Sequence, residues 1–431
     1  MHPAFRRRAL AGVLLSCFAA LAGAQLPPAT QPLPAAAPQD VGLSPERLQR
    51  IGALLREDVQ AKRIPGAVVM VARHGKLAYV DVVGQQDPAQ GKPMARDSIF
   101  RIYSMTKPLV SVAAMMLVEE GRLMLEAPVA RYIPSFAKVQ VGVEQTDASG
   151  RKTLALVPAA RPMTVQDLLR HTSGLTYGFF GDSLVKKAYA EAGVGISGDF
   201  TTAEFVEQLA RLPLHYQPGS TWDYSYSTDV LGRVLEVATG ESLHSLLKRR
   251  LLDPLGMRDT SFYVPEPARQ ARIAEPFADD RSFGVGASFG DPRVVQKFES
   301  GGGGLVSTAD DYARFAQMLL NGGALDGRRY LSPATLAYMT ADHLGAGIAR
   351  TPLYLPGPGY GFGLGFAVRT AAGQAASASS VGEYNWGGAG GTYFWVDPQA
   401  GLTVVFMLQS PRQRLPYRSI LRNMVSAAIE K

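Results

Sequence analysis

A mixed α/β fold, in which one sheet draws strands from both ends of the chain and a mainly helical part is inserted between them, follows from three features of the sequence. Strand-like runs stand at 66–72 and 77–83 and return at 391–396 and 402–408. The stretch from 121 to about 284 reads mainly as helices and loops, and 420–429 has the pattern of a closing helix. Strands at both ends with helices between them assemble as one sheet with a helical insert packed beside it. The expected division is one folded body over 41–431, its α/β part 41–120 plus 285–431 and its helical part 121–284.

Each element has its own local reason. Ser44-Pro45 offers an N-cap and a proline at the first helical position, and Leu48, Ile51, Leu54 and Leu55 recur at helical spacing, which predicts a helix to about Arg63. The valine-rich run 66–72, the turn His74-Gly75-Lys76 and the apolar run 77–83 predict a hairpin of buried strands. Val110, Ala113, Ala114, Leu117 and Val118 share one helical face, and Glu119-Glu120-Gly121 closes that central helix. Within the insert, Asp147-Ala148-Ser149-Gly150 marks a hairpin. No internal repeat interrupts the pattern.

At 431 residues, 46% hydrophobic and 19% charged, the chain has the composition of an ordinary globular protein with a sizeable core. Residues 1–24 carry Arg6, Arg7 and Arg8, an apolar stretch 9–22, and Ala22-Gly23-Ala24 before Gln25, the layout of a cleavable signal peptide. Export to the periplasm or the medium is the expectation. The rival is a lipoprotein site at Cys17, which Leu15 and the short preceding apolar run disfavour. Residues 25–40, rich in Pro and Ala, read as an extended linker. Without the three early arginines the formal charge falls from +7 to +4, and no basic run with interleaved aromatics follows, so nucleic acid is not an expected partner. After residue 24 no apolar run is long enough to span a bilayer, and no cysteine remains for a disulfide, a thiolate nucleophile or a metal.

Three motifs carry chemistry. In Ser104-Met105-Thr106-Lys107, a serine and a lysine three apart at a helix start share a face, so the amine can reach the hydroxyl. The positive end of the helix dipole favours a developing alkoxide, and a neutral Lys107 can take the proton. Alone, the motif equally fits an N-cap serine with a solvated lysine. Tyr224-Ser225-Tyr226 follows Pro218-Gly219-Ser220-Thr221-Trp222-Asp223; a phenol beside a lysine can act as a base, and the plainer reading is an aromatic core cluster. Trp386-Gly387-Gly388-Ala389, before Gly390-Gly391 and a strand, lets a substrate approach bare backbone and offers an amide to an oxyanion, or is simply a glycine-rich turn.

In that order and at these separations, the motifs resemble those of the serine beta-lactamase and penicillin-binding-protein superfamily, class C branch, and most closely its family VIII carboxylesterases. Leu168-Leu169-Arg170-His171-Thr172-Ser173-Gly174-Leu175, Pro254-Leu255-Gly256-Met257 and the tract Gly301 to Thr308 extend the resemblance over 41–431. It implies an antiparallel sheet flanked by helices with a helical second domain, and the active site in the cleft between them. It further implies Ser104 as nucleophile, Lys107 and Tyr224 sharing the base role, and the amides of Ser104 and Ala389 as the oxyanion hole. Tyr226, Trp386, Gly387 and Gly388 would touch a small-molecule ester, with neither cofactor nor metal. Class C beta-lactamases carry asparagine where this chain has Tyr226 and lysine where it has Trp386. The resemblance therefore implies an esterase with weak or absent beta-lactamase activity and poor binding of anionic substrates. The alternatives are a class C-like beta-lactamase or D-amino-acid peptidase, and a catalytically inactive penicillin-binding-like receptor.

Other features point elsewhere with less force. Gly286-Ala287-Ser288-Phe289-Gly290 matches a nucleophile elbow, but the preceding 275–284 contains Pro276, Asp279, Asp280 and Arg281, so no buried strand feeds it. His171 sits in a turn where a structural role is expected. Gly301 to Gly304 lacks the Lys-Ser/Thr of a phosphate loop.

Overall fold

A computed structural model describes residues 32–195, 198–280, 282 and 290–431. Its centre is an eight-stranded antiparallel sheet. The strands are β1 (Gly66–Arg73), β2 (Lys76–Asp87), β3 (Lys92–Pro93), β4 (Tyr360–Phe362), β5 (Ala367–Arg369), β6 (Tyr384–Gly387), β7 (Tyr393–Asp397) and β8 (Leu402–Leu408), in the order β4-β5-β6-β7-β8-β1-β2-β3. The last long strand thus pairs with the first, Val69 facing Phe406 and Val71 facing Val404. The expectation of one sheet built from both ends of the chain holds.

Side-chain alternation assigns the two faces. Ala67, Val69 and Val71 point with Val404, Phe406 and Trp395 into one apolar cluster, while Val68, Met70 and Ala72 point with Val405, Met407 and Phe394 into another. Helices α1 (Pro45–Gln60) and α5 (Pro416–Ala428) pack on each other over the first face. On the second, α4 (Ala309–Leu320) packs against β1, β7 and β8. Helix α2 (Thr106–Glu119) is buried at every residue from Thr106 to Leu117, where the sequence pattern indicates a single apolar face. It lies between the sheet's cluster and α3 (Ser227–Thr239), and a helix apolar all round belongs inside.

The insert contains the expected hairpin, Gln140–Thr146 paired with Lys152–Pro158, closed where Asp147 Oδ1 accepts from the amides of Ser149 and Arg151. The linker expectation needs correction. Residues 33–40 are docked rather than free: Leu33 is buried, the Leu77 amide donates to Pro34 O at 2.8 Å, and Ala36 N donates back to Leu77 O at 3.0 Å. An apolar Leu33 in a Pro/Ala tract is enough to anchor it beside β2. The signal-peptide segment lies outside the described residues.

One buried acid makes stability pH-dependent. Asp311, in the first turn of α4, accepts from Asp259 N at 2.8 Å and Thr260 Oγ1 at 2.9 Å, tying the loop after residue 256 to the helix. Burial, with Asp259 and Asp310 adding to it, pushes its carboxyl up to about 7. Because the folded chain holds this proton longer than the unfolded chain, stability falls as pH rises from the ordinary carboxylate range to 7, at most ~1.4 kcal/mol per pH unit. Urea denaturation of wild type and Asp311→Asn between pH 5 and 8 should show the wild type losing stability relative to the variant; a difference constant with pH would refute the assignment.

Candidate active site

The serine is delivered by a strained turn. Phe100–Arg101 pairs antiparallel with Val306–Ser307, and Ile102 N donates to Leu305 O at 3.0 Å. Tyr103 then takes a left-handed φ of 44°, unusual for a bulky residue and tolerated where the surroundings enforce it. Residues Tyr103–Met105 form one 3-10 turn leading into α2. Tyr312 Oη donates to Met105 O at 2.9 Å, and Leu305 N donates to Thr106 Oγ1 at 3.1 Å, so the turn is held from two sides.

Lys107, in the first turn of α2, is 1% exposed. Its Nζ lies 3.3 Å from Ser104 Oγ, 3.2 Å from Tyr177 Oη and 2.6 Å from Gly302 O, and 4.6 Å from the centre of the Tyr224 ring. An ammonium has three protons for these three acceptors. As a free amine it can donate to Gly302 O and Tyr177 Oη and turn its lone pair to Ser104, which is the arrangement proton abstraction requires.

Gly302 is itself fixed from behind. Asp229, buried on α3, accepts from Ser300 Oγ at 2.5 Å and Gly302 N at 3.0 Å. Burial pushes its carboxyl up and the Lys107 charge draws it back. A Cβ on Gly302 would lie 2.3 Å from Asp229 Oδ2, and one on Gly301 2.6 Å from Thr228 O, so this tract must be glycine to lie flat on α3.

Tyr224 is 7% exposed and receives a hydrogen bond from Trp386 Nε1 at 3.3 Å. Its ring packs 4.9 Å from His171. His171 is buried with Nδ1 3.3 Å from Ser225 Oγ, and burial together with Lys107 holds its imidazole well below the ordinary range, a neutral group supporting Tyr224 from behind. Across the cleft, Gly388 is in close contact with the segment leading to Ser104: a Cβ there would stand 2.5 Å from Ile102 O, and Thr392 Oγ1 donates to that same oxygen at 3.3 Å. A Cβ on Gly390 would strike the Tyr103 ring at 2.5 Å. The glycines after Trp386 are thus what lets the β6–β7 turn reach Ser104.

The resulting cavity, about 130 Å³, is lined by Ser104, Tyr224, Trp386, Gly387, Gly388 and Ala389, by the aromatic rings of Tyr103, Tyr177, Phe179 and Phe180, and by Arg414 and Arg418. One expectation is corrected here. Tyr226 is not among the described residues of the wall: its buried ring packs 4.3 Å from Tyr177, and its hydroxyl donates to Val194 O at 2.8 Å. Two cations also line the cleft, Arg418 from the chain's last helix and Arg414 from the turn before it. Asp229, Tyr177 and the two arginines were not singled out from sequence. An acid just before the apolar Val230 and Leu231 at the start of 227–239 was a usable signal for Asp229; Arg418, in an amphipathic helix, and Arg414, in the turn before it, carry none. Ser288 lies outside the described residues. Among the described residues no group of three or more His, Cys, Asp or Glu could hold a metal ion, and no helix is long and apolar enough to cross a membrane.

Residues 51–427 match the family described as Beta-lactamase. The chain is 39% identical over 364 residues to an uncharacterized protein of Mycobacterium tuberculosis, covering 83% of this chain and 88% of that one. It is 33% identical over 403 residues to Esterase EstB of Burkholderia gladioli, covering 88% and 95%. Among solved structures, EstCE1, a hydrolase with promiscuous acyltransferase activity, superposes with a TM-score of 0.74 at 30% identity over 90% of this chain and 98% of its own. Simvastatin synthase from Aspergillus terreus does so with a TM-score of 0.72 at 26% identity, over 88% and 97%. With a helix-flanked antiparallel sheet, a serine and a lysine in contact at the head of α2, and a family match over most of its length, the chain belongs to the beta-lactamase family.

Proposed function

We propose that the protein is a carboxylic ester hydrolase working through an acyl-enzyme on Ser104. The observation that carries this reading is the contact of the buried Lys107 Nζ with Oγ of Ser104, which lines an aromatic cavity. Ser104 Oγ attacks the ester carbonyl while its proton passes to the Lys107 and Tyr224 pair. The amides of Ser104 and Ala389 receive the oxyanion, and collapse expels the alcohol, which takes the proton back. Water then attacks the acyl-Ser104 by the same route in reverse, releasing the acid and restoring the hydroxyl.

Trp386 supports the esterase reading over beta-lactam hydrolysis. Its indole spreads apolar surface for an acyl or alcohol group and gives its one N–H to Tyr224. Position 226, turned into the core, offers nothing to a lactam amide. Slow or absent turnover of beta-lactams is the expected result. Acyl transfer to an alcohol in place of water is a second reading, favoured by the acyltransferase activity named for EstCE1. The layout of residues 1–24 supports export as part of the same proposal.

A fluorophosphonate probe should add its mass to Ser104, and Ser104→Ala should abolish both labelling and p-nitrophenyl butyrate hydrolysis. Lys107→Ala should be nearly as severe, and Tyr224→Phe should lower kcat by about 10²-fold or more. A Tyr224→Phe enzyme with most of its rate would remove Tyr224 from proton transfer. Asp229→Asn tests the support of Gly302: kcat should fall by about 10-fold with KM little changed, since the positioning of Lys107 is disturbed and the cavity wall is not. Equal changes in both constants would place Asp229 outside the proton path.

A further inference from the structure

The helix Leu184–Glu191 of the insert carries a lysine that its packing does not require. Val185 docks it, with a methyl 2.6 Å from where a Cβ on Gly142 would stand, and so does Tyr189, whose ring stacks 6.5 Å from that of Tyr226. Lys187 lies in solvent beside Glu191. Lys186, by contrast, is turned inward and only 3% exposed. A buried ammonium is rare and destabilising unless the fold supplies its acceptors. Burial draws this one below its ordinary range, and Asp223 opposes that effect.

Its two acceptors stand at matched positions. Lys186 Nζ donates to Thr176 Oγ1 at 2.7 Å and pairs with Asp223 Oδ2 at 3.7 Å. Thr176 immediately precedes Tyr177, whose hydroxyl lies 3.2 Å from Lys107 Nζ. Asp223 immediately precedes Tyr224, whose ring centre lies 4.6 Å from the same nitrogen. The two phenol rings meet edge to face at 5.4 Å. One ammonium therefore clasps the chain neighbours of both tyrosines that enclose Lys107.

Other ties between these segments engage residues 171–174. His171 O accepts from Asp223 N at 3.0 Å, Gly174 O accepts from His215 N at 2.7 Å, and Ser173 Oγ lies 2.7 Å from Ser227 Oγ. Lys186 carries the connection on to residue 176. Asp223 is steadied from its more exposed side by His215, whose Nδ1 donates to Oδ2 at 2.8 Å. The same carboxylate oxygen thus faces the imidazole and the ammonium together.

We propose that Lys186 is a positioning residue for the reaction at Ser104. By holding Thr176 and Asp223 together it fixes the separation of the Tyr177 and Tyr224 phenols about Lys107, and with it the direction in which Lys107 faces Ser104. This rests on the acyl-enzyme reading and adds to it a residue that touches no substrate. The competing role is an anchor for helix Leu184–Glu191 alone, which would change stability and leave the chemistry of folded molecules as it is.

Three variants separate the two roles. Lys186→Met keeps the length of the side chain and removes both links, and Thr176→Val removes only the link beside Tyr177. The double variant Lys186→Met, Asp223→Asn also removes the carboxylate charge that the first leaves without its ammonium. With p-nitrophenyl butyrate, and rates expressed per site labelled by a fluorophosphonate, Lys186→Met should lower kcat about 10-fold with KM little changed, and Thr176→Val about 3-fold. The double variant should regain stability in urea relative to Lys186→Met without regaining kcat. A kcat per labelled site equal to wild type in Thr176→Val and Lys186→Met, or restored in the double variant, would overturn the proposal. Should Lys186→Met fail to fold, Thr176→Val alone decides. Hydrogen exchange read by mass spectrometry is independent of activity: in Thr176→Val and Lys186→Met, peptides covering 175–177 and 222–226 should both exchange faster, whereas protection lost only over 184–191 would leave Lys186 as a helix anchor. If the wild type hydrolyses no ester, the acyl-enzyme reading fails, and the exchange measurement still decides whether Lys186 joins the two segments.

Discussion

A single buried amine organises this protein. Lys107 Nζ has no water to solvate it, so each of its protons must find an acceptor inside the fold, and an unsatisfied one would cost on the order of 2 kcal/mol or more. Its acceptors come from three distant parts of the chain: Ser104 from its own helix, Tyr177 from the helical insert, and Gly302 from the tract returning to the sheet. Meeting that demand joins the insert to the sheet part. It also explains why α2 is buried along nearly its whole length, since the helix that carries such a residue must have both parts of the fold around it.

The same demand sets the backbone around the site. Two glycine segments flank the Ser104 turn: a Cβ at 388 or 390 would collide with Ile102 O or Tyr103 of the turn itself, and one at 301 or 302 with Thr228 O or Asp229 of α3 behind it. Glycine is therefore a packing requirement here rather than a source of flexibility. The sheet makes the first approach possible. Because β8 pairs with β1, the strands β6 and β7 are placed beside the segment leading from β1 and β2 to Ser104, and residues nearly three hundred positions apart meet at one turn.

Much of this was legible in sequence because it rests on local signals. Continuous apolar runs marked β1, β2 and β8, Ser44-Pro45 marked the start of α1, and the spacing of Ser104 and Lys107 marked the pair that meets at the head of α2. What escaped were features decided by tertiary placement. Tyr226 looked like a wall residue from its motif, but the chain turns into α3 at Ser227 and carries its ring toward Tyr177 and Val194. Leu33 looked like linker because Pro and Ala surround it, yet one apolar side chain beside β2 suffices to dock the strand. Arg418 looked like any basic position of an amphipathic helix; only the placement of α5 over β6 shows that it faces the cleft.

Where a cation stands matters for the chemistry as much as its presence. A lysine at residue 386 would occupy the place from which the indole N–H now reaches Tyr224 and would set a charge beside its hydroxyl. Arg418, in the first turn of α5, and Arg414, just before it, line the cavity from another element and leave that hydrogen bond intact. Across a mostly apolar cavity, where screening is weak, their field favours negative charge developing beside Ser104.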